Sequence, residues 1–202
     1  MAALVAVTTL TTSALAQKNE LPGIIGRPFV SDQGVLNASL FDKNMHLGEG
    51  LTFEVNDGHL MGNGFARRTF EVPAVFNFDQ DVHFAANLVP SSYSTYFLTP
   101  SLRANAFAGT AISPWVSFGR GLGHLGVADH LEFGGSNPDN SNFTGIFQMG
   151  FGLDVRIKRT ISLRGQVRDF WSGTPDLNVD TGKGHQHNFL VVGGVIWRLG
   201  KS

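Results

Sequence analysis

GIFQMGFGLDVRI (Gly145–Ile157), KRT (Lys158–Thr160) and ISLRGQVRDFW (Ile161–Trp171) read as two strands joined by a tight turn. In the first, Phe147, Met149, Phe151, Leu153, Val155 and Ile157 share one parity, opposite Gln148, Gly150, Gly152, Asp154 and Arg156. In the second, Ile161, Leu163, Gly165 and Val167 oppose Ser162, Arg164, Gln166 and Arg168. A period of two is the signature of a strand, whose successive side chains point to opposite faces. A wholly apolar face about ten residues long, backed by a face carrying Arg and Asp, is the pattern of a membrane-spanning barrel.

Six further segments extend the pattern. Leu21–Val30 is blurred by Pro22, Pro28, Gly23 and Gly26. His46–Asn56 sets Leu51, Phe53 and Val55 against Thr52 and Glu54, and Phe65–Phe78 sets Phe70, Val72 and Phe76 against Thr69 and Glu71. Tyr93–Phe107 sets Tyr96, Leu98 and Leu102 against Thr99, Ser101 and Arg103. Ile112–Gly123 is Gly-rich and does not reveal which face holds Trp115. His187–Leu199 carries Phe189, Val191, Val195 and Trp197 on one side, but Leu190, Val192 and Ile196 make its other side apolar too.

The connectors alternate in length. Long ones follow the first, third, fifth and seventh segments, and Leu125–Thr144 is the longest. Short ones follow the second, fourth and sixth. Outer-membrane barrels combine short periplasmic turns with long extracellular loops. The expectation is an all-β, eight-stranded antiparallel up-and-down transmembrane β-barrel with both termini periplasmic. Closure is required because unpaired backbone groups in hydrocarbon cost several kcal/mol each.

Such a barrel is just wide enough for side chains to fill. Its expected luminal charges are Glu54, Glu71, Arg103, Asp154, Arg156, Arg164 and Arg168. They should pair, because a buried unpaired charge is costly, and this favours a plugged barrel over a channel. Tyr96, Trp171 and Trp197 lie on the outward parity near strand ends, as an aromatic girdle requires.

Composition fits. Charged residues are 15% of the chain, below the usual ~25%. Net charge is −1, which carries no nucleic-acid footprint. The absence of Cys excludes disulfides, thiolate chemistry and Cys-ligated metal. Residues 1–16 read as a signal peptide ending in Ala14-Leu15-Ala16, with the barrel domain at 17–202. The basic residues expected before its apolar run are missing, as a truncated or misassigned start would leave it; the alternative is a buried N-terminal helix.

The chain resembles the small outer-membrane β-barrels of the OmpA transmembrane-domain, opacity and porin-like type, in the form found in Acidobacteria. The resemblance is carried by Val72–Asn77, Ala111–Gly119, Leu163–Phe170 and Phe189–Trp197. It implies insertion by the barrel-assembly machinery, contact with outer-membrane lipid and lipopolysaccharide, and no cofactor. It does not imply one function, since such proteins serve as structural anchors, adhesins, small porins or, rarely, enzymes. Two departures stand out. Trp197 is followed by Arg198-Leu199-Gly200-Lys201-Ser202, where such proteins end on an aromatic residue, and no peptidoglycan-binding sequence follows the barrel.

Catalytic and metal motifs are weak. His185-Gln186-His187 could hold a metal through two side chains on one face, but a third ligand is not evident, and a solvated loop is the alternative. Barrel lipid A deacylases use His-x-Ser-Asn, whereas His185-Gln186-His187-Asn188 has His in place of the nucleophile. Gly119-x-Gly121-x-Gly123 has no following helix, so it is not a dinucleotide loop. The expectation is therefore a non-enzymatic barrel with no catalytic, cofactor or metal residues and a structural or surface-interaction role carried by its loops. The alternatives are a narrow porin for small solutes, a lipid-modifying barrel enzyme, against which the missing Ser speaks, and a soluble lipocalin-like carrier. The latter needs the opposite arrangement of faces.

Overall fold

The computed structural model describes residues 19–30, 32–36, 44–47, 50–63, 66–85, 87–107, 110–137 and 141–199. The signal segment expected at 1–16 lies outside them. Among the described residues, eleven strands form one antiparallel sheet: β1 Asn19–Val30, β2 Gln33–Gly34, β3 Asn44–Leu47, β4 Leu51–Asn63, β5 Ala66–His83, β6 Ser92–Leu98, β7 Ser101–Ala106, β8 Ile112–Val127, β9 Ser141–Arg156, β10 Ile161–Ser172 and β11 Gln186–Leu199. They make eight staves, because β2 prolongs β1, β3 continues into β4, and β6 and β7 are one stave broken at Thr99-Pro100. β1 pairs with both β4 and β11, so the sheet closes into a barrel.

The sequence features that blurred the pattern have local explanations. Pro22 and Pro28 share a parity, so both missing N–H groups fall on the same neighbour. The β1–β11 ladder accordingly runs unbroken from Asn19↔Leu199 to Val30↔Asn188. The β1–β4 ladder instead skips Leu21 and Pro22 and stops at Gly26↔Thr52.

Alternation on β5 fails at Phe78 because Phe78 and Asp79 are both exposed there, at a register shift between Asn77 and Gln80. Asp79 has φ 53°, a left-handed conformation that Asp tolerates better than most residues. This bulge switches the inward parity, and the strand then continues to His83, five residues beyond its expected end. β8 likewise reaches Val127 and β9 begins at Ser141, so both ends of the expected loop Leu125–Thr144 are strand.

Gly119 and Gly121 lie where β8 crosses the break between β6 and β7. A Cβ on Gly121 would sit 1.9 Å from the Leu98 carbonyl oxygen. The glycines therefore permit backbone approach at a strand break.

Candidate functional site: the filled lumen and its cap

Inward side chains change character along the barrel. At the end bearing the short turns they are charged. On β10 the inward series is Arg164, Gln166, Arg168 and then Phe170; on β5 it is Arg67, Glu71 and then Val75. Toward the loop end comes an apolar layer of Ile24, Val75, Phe97, Leu125, Ile146, Phe170, Leu190 and Val192, and on its loop side lie buried neutral polar side chains, with Asn77 bonded to both Thr52 and Thr95. Leu190 and Val192 explain the two-sided apolarity of the last strand: its inner face belongs to this layer. The lumen is thus filled by charged, apolar and neutral polar side chains, where the sequence led us to expect charge alone.

In the charged half, Glu71 is fully buried and joins two arginines, with Arg168 at 2.9 Å and Arg103 at 3.1 Å. Arg168 also reaches Glu54 at 3.3 Å. Arg164 grips Asp154 bidentately, Nε to Oδ1 at 2.7 Å and Nη2 to Oδ2 at 2.8 Å. This fork geometry is the strongest carboxylate pairing available to arginine. Asn56 and Gln166 donate to Glu71 and Glu54 at 3.1 and 2.5 Å.

Trp115, whose face was not legible in the sequence, points inward. Its indole Nε1 donates to Asp154 at 3.1 Å, and the guanidiniums of Arg103, Arg164 and Arg168 lie 5.0–5.7 Å from its ring. Cation–π attraction is strongest where the cation is desolvated, as here.

The expected set needs one correction and three additions. Arg156 has the inward parity but is exposed at the turn end, where its Nη2 donates to the Thr110 carbonyl at 2.6 Å. It is the last residue of β9, so nothing encloses it. Glu20 was missed, yet it pairs with Arg103, with Arg67 and Arg198 at 3.1 Å each, and with Arg164 at 3.9 Å. Glu20, Arg67 and Arg198 all sit near strand ends or in the proline-blurred first strand, where alternation is weakest.

Gly152 faces the indole across the β8–β9 pair, and a Cβ there would lie 2.3 Å from Trp115 Cζ2. The ring is walled by three arginines and cannot retreat freely. Gly152→Ala is therefore expected to cost about 1–3 kcal/mol, the usual range for overpacking, read as a lowered urea midpoint.

The outer face carries the aromatic residues. Trp171 and Trp197 are about half exposed at opposite ends of the barrel. Tyr96 packs edge-on against Phe76 and Phe78 at 6.1 and 5.8 Å. Trp171 stacks on His187 at 5.7 Å and meets His185 edge-on at 5.8 Å, while His187 Nδ1 lies 2.8 Å from Asp169. The two histidines therefore share a face because both pack on Trp171.

Above the apolar layer, the loop segments build a cap with its own core of Val35, Met45, Leu47, Val82, Phe84, Val89, Tyr93, Val127 and Leu177. Glu132 accepts from the Phe84 N–H at 2.9 Å and lies 2.9 Å from His83 Nδ1. The Asn87 amide brackets Phe133 and Gly134, accepting from one N–H and donating to the other carbonyl. Asn178 bonds both Asn137 and the Leu88 carbonyl. Phe133 is thus held at 65% exposure on an ordered support.

No protein-family profile and no curated sequence matches the chain. Solved structures do match it in fold. One is the crystal structure of Neisserial surface protein A, with TM-score 0.57 and 15% identity over 89% of this chain and 96% of that one. Another is the solid-state NMR structure of the outer membrane protein AlkL in lipid bilayers, with TM-score 0.52 and 16% identity over 95% of this chain and 94% of that one. The chain therefore has the fold of small outer-membrane β-barrels.

Proposed function

We propose that this protein spans a bacterial outer membrane as a filled, non-enzymatic barrel that presents its cap at the cell surface. Both termini would be periplasmic, and the role would be structural or one of surface interaction. The observation that carries the reading is the inversion of its faces. Fully buried side chains include Glu71, Arg103 and Arg168, while Phe147, Phe151, Leu153, Leu163 and Val167 are each more than 40% exposed. A water-soluble carrier needs the reverse.

The dimensions agree. The outward row of β9 and its turn, Phe147 to Ile157, spans about 25 Å at ~3.3 Å per residue and a tilt near 40°, equal to the apolar band of such barrels. The half-exposed Trp171 and Trp197 sit where that band meets headgroups. Lipid and lipopolysaccharide would surround the outer face, and the barrel-assembly machinery would insert it.

Cell fractionation with gel heat-modifiability tests this. The protein should be recovered in the outer-membrane pellet and shift mobility on boiling. Recovery in the soluble periplasmic fraction would contradict the reading.

A further inference from the structure

Exposed charge divides by sign between the two ends of the barrel. Among the described residues of the cap, Asp32, Asp81, Asp129, Asp176 and Asp180 are exposed, and Lys183 is the one exposed Lys or Arg. Among the described residues of the turn end, Arg68, Arg156, Lys158 and Arg159 are exposed and no Asp or Glu is. Glu20 and Asp154 lie at that end too, but both are buried and ion-paired.

The basic end is densest at the β9–β10 turn. The N–H groups of Ile157 and Lys158 both donate to the Ile161 carbonyl, at 3.1 and 3.0 Å, and the Ile161 N–H donates to the Lys158 carbonyl at 3.3 Å. The Arg198 N–H donates to the Thr160 carbonyl at 2.9 Å, which fastens the turn to the last strand, where Trp197 stands opposite Ile161. The outward side chains beside the turn are apolar: Ile157 is 56% exposed and Trp197 46%. An outward indole at a strand end marks the headgroup boundary. Lys158 and Arg159 fall just beyond it, at the depth of lipid phosphates. Arg67 and Arg198 are committed to Glu20, and Arg156 reaches the Thr110 carbonyl. The side chains of Lys158 and Arg159 have no hydrogen-bond or ion-pair partner among the described residues.

We propose that this turn holds the phosphate of an anionic phospholipid headgroup. The inference rests on the membrane reading above, which puts the turn end in the periplasmic leaflet, the one built of phospholipid. Arginine meets two phosphate oxygens with its planar fork, and lysine meets phosphate as a compact point charge. A zwitterionic headgroup carries an ammonium that offsets its phosphate, so the two cations favour a headgroup of net negative charge. Ile157 and Trp197 supply the apolar flank that the acyl chains need and that a soluble anion does not. Lipopolysaccharide phosphates belong to the opposite leaflet, beneath a cap whose exposed carboxylates repel them.

Quenching of tryptophan fluorescence by brominated lipid tests this on the full chain, folded in phosphatidylcholine vesicles containing a minority of phosphatidylglycerol. Trp171→Phe leaves Trp197 as the lipid-exposed reporter at the turn end, and Trp197→Phe leaves Trp171 at the loop end. Trp115, enclosed in the lumen, is a constant background in both. With the bromines placed on one lipid or the other at equal mole fraction, Trp197 should report a preference of about five- to twenty-five-fold for phosphatidylglycerol, the range for one to two cations near an anionic surface. Trp171 should report none. Lys158→Gln/Arg159→Gln should bring Trp197 close to parity. The exchange Lys158→Arg/Arg159→Lys keeps both charges and should keep the preference.

Equal quenching of Trp197 by the two lipids would overturn the inference and leave the turn to a soluble acidic partner. A preference that survives the double Gln variant, or an equal one at Trp171, would overturn it as well. Heat-modifiability of the same samples separates the outcomes. A folded barrel without lipid preference defeats this inference alone, whereas a chain that neither shifts on boiling nor is quenched by either lipid defeats the membrane reading.

Discussion

Replacing Glu71 by alanine is expected to destabilise the barrel by about 3–5 kcal/mol, the cost of removing one partner from a buried ion pair. Glu71 is completely enclosed and bonds Arg103, Arg168 and Asn56. Its loss leaves Arg168 with only Glu54, and Arg103 with only Glu20, among their ion pairs between described residues. Glu71→Gln keeps the shape and part of the hydrogen bonding, so it should cost less. Asp81→Ala, on the exposed face of the same strand, should change stability by no more than about 0.5 kcal/mol. Urea unfolding of all three in lipid vesicles checks the ranking; equal midpoints for Glu71→Ala and Asp81→Ala would show that the network does not support the fold.

Val167→Arg addresses the other face. Val167 lies outward near the middle of β10, six residues from Ile161 and four from Trp171, with 43% of its surface exposed. In a bilayer, arginine at mid-depth costs about 2–4 kcal/mol, falling to about 0–1 near the interfaces. Met61→Arg, exposed near the turn end of β4, should therefore cost far less. On a soluble protein both positions are ordinary surface, and both substitutions would be close to neutral. Unfolding free energies of the two variants in vesicles should thus separate by at least 1 kcal/mol, roughly the gap between those ranges.

These two experiments probe the features that were most and least legible in the sequence. The β9–β10 pair was plain because its faces differ in chemistry at every step, Phe151 and Leu153 against Asp154 and Arg164. Parity gives the face of a side chain but not its depth. Arg156 obeys the parity and is exposed, since its strand ends there, while Glu20 is enclosed although its strand reads poorly.

The orientation of Trp115 was hidden because the inward side of β8 is largely Gly and Ser, whereas the outward side carries Pro114 and Arg120. The outward row of Ile112, Val116, Phe118 and Leu122 is apolar, but a Trp set among Ser and Gly does not mark the opposite row as luminal. The apolar luminal layer had a visible trace in Leu190 and Val192, but a two-sided apolar strand does not by itself say that its inner face meets Phe97 and Phe170. The cap was illegible for a different reason. It depends on contacts such as Glu132 with Phe84 and Asn178 with Asn137, which join segments about forty to fifty residues apart.

The interior arrangement has a direct consequence for transport. Water and ions crossing the barrel would meet a salt-bridged zone held by Arg103, Glu71, Arg168, Arg164 and Asp154, and then an apolar layer of Ile24, Phe97, Ile146 and Phe170. Single-channel recording in a planar bilayer, on protein shown by heat-modifiability to be folded, tests this filled barrel most directly. The account predicts a silent baseline with no stable conductance steps; steady openings of the size given by large porins would contradict it.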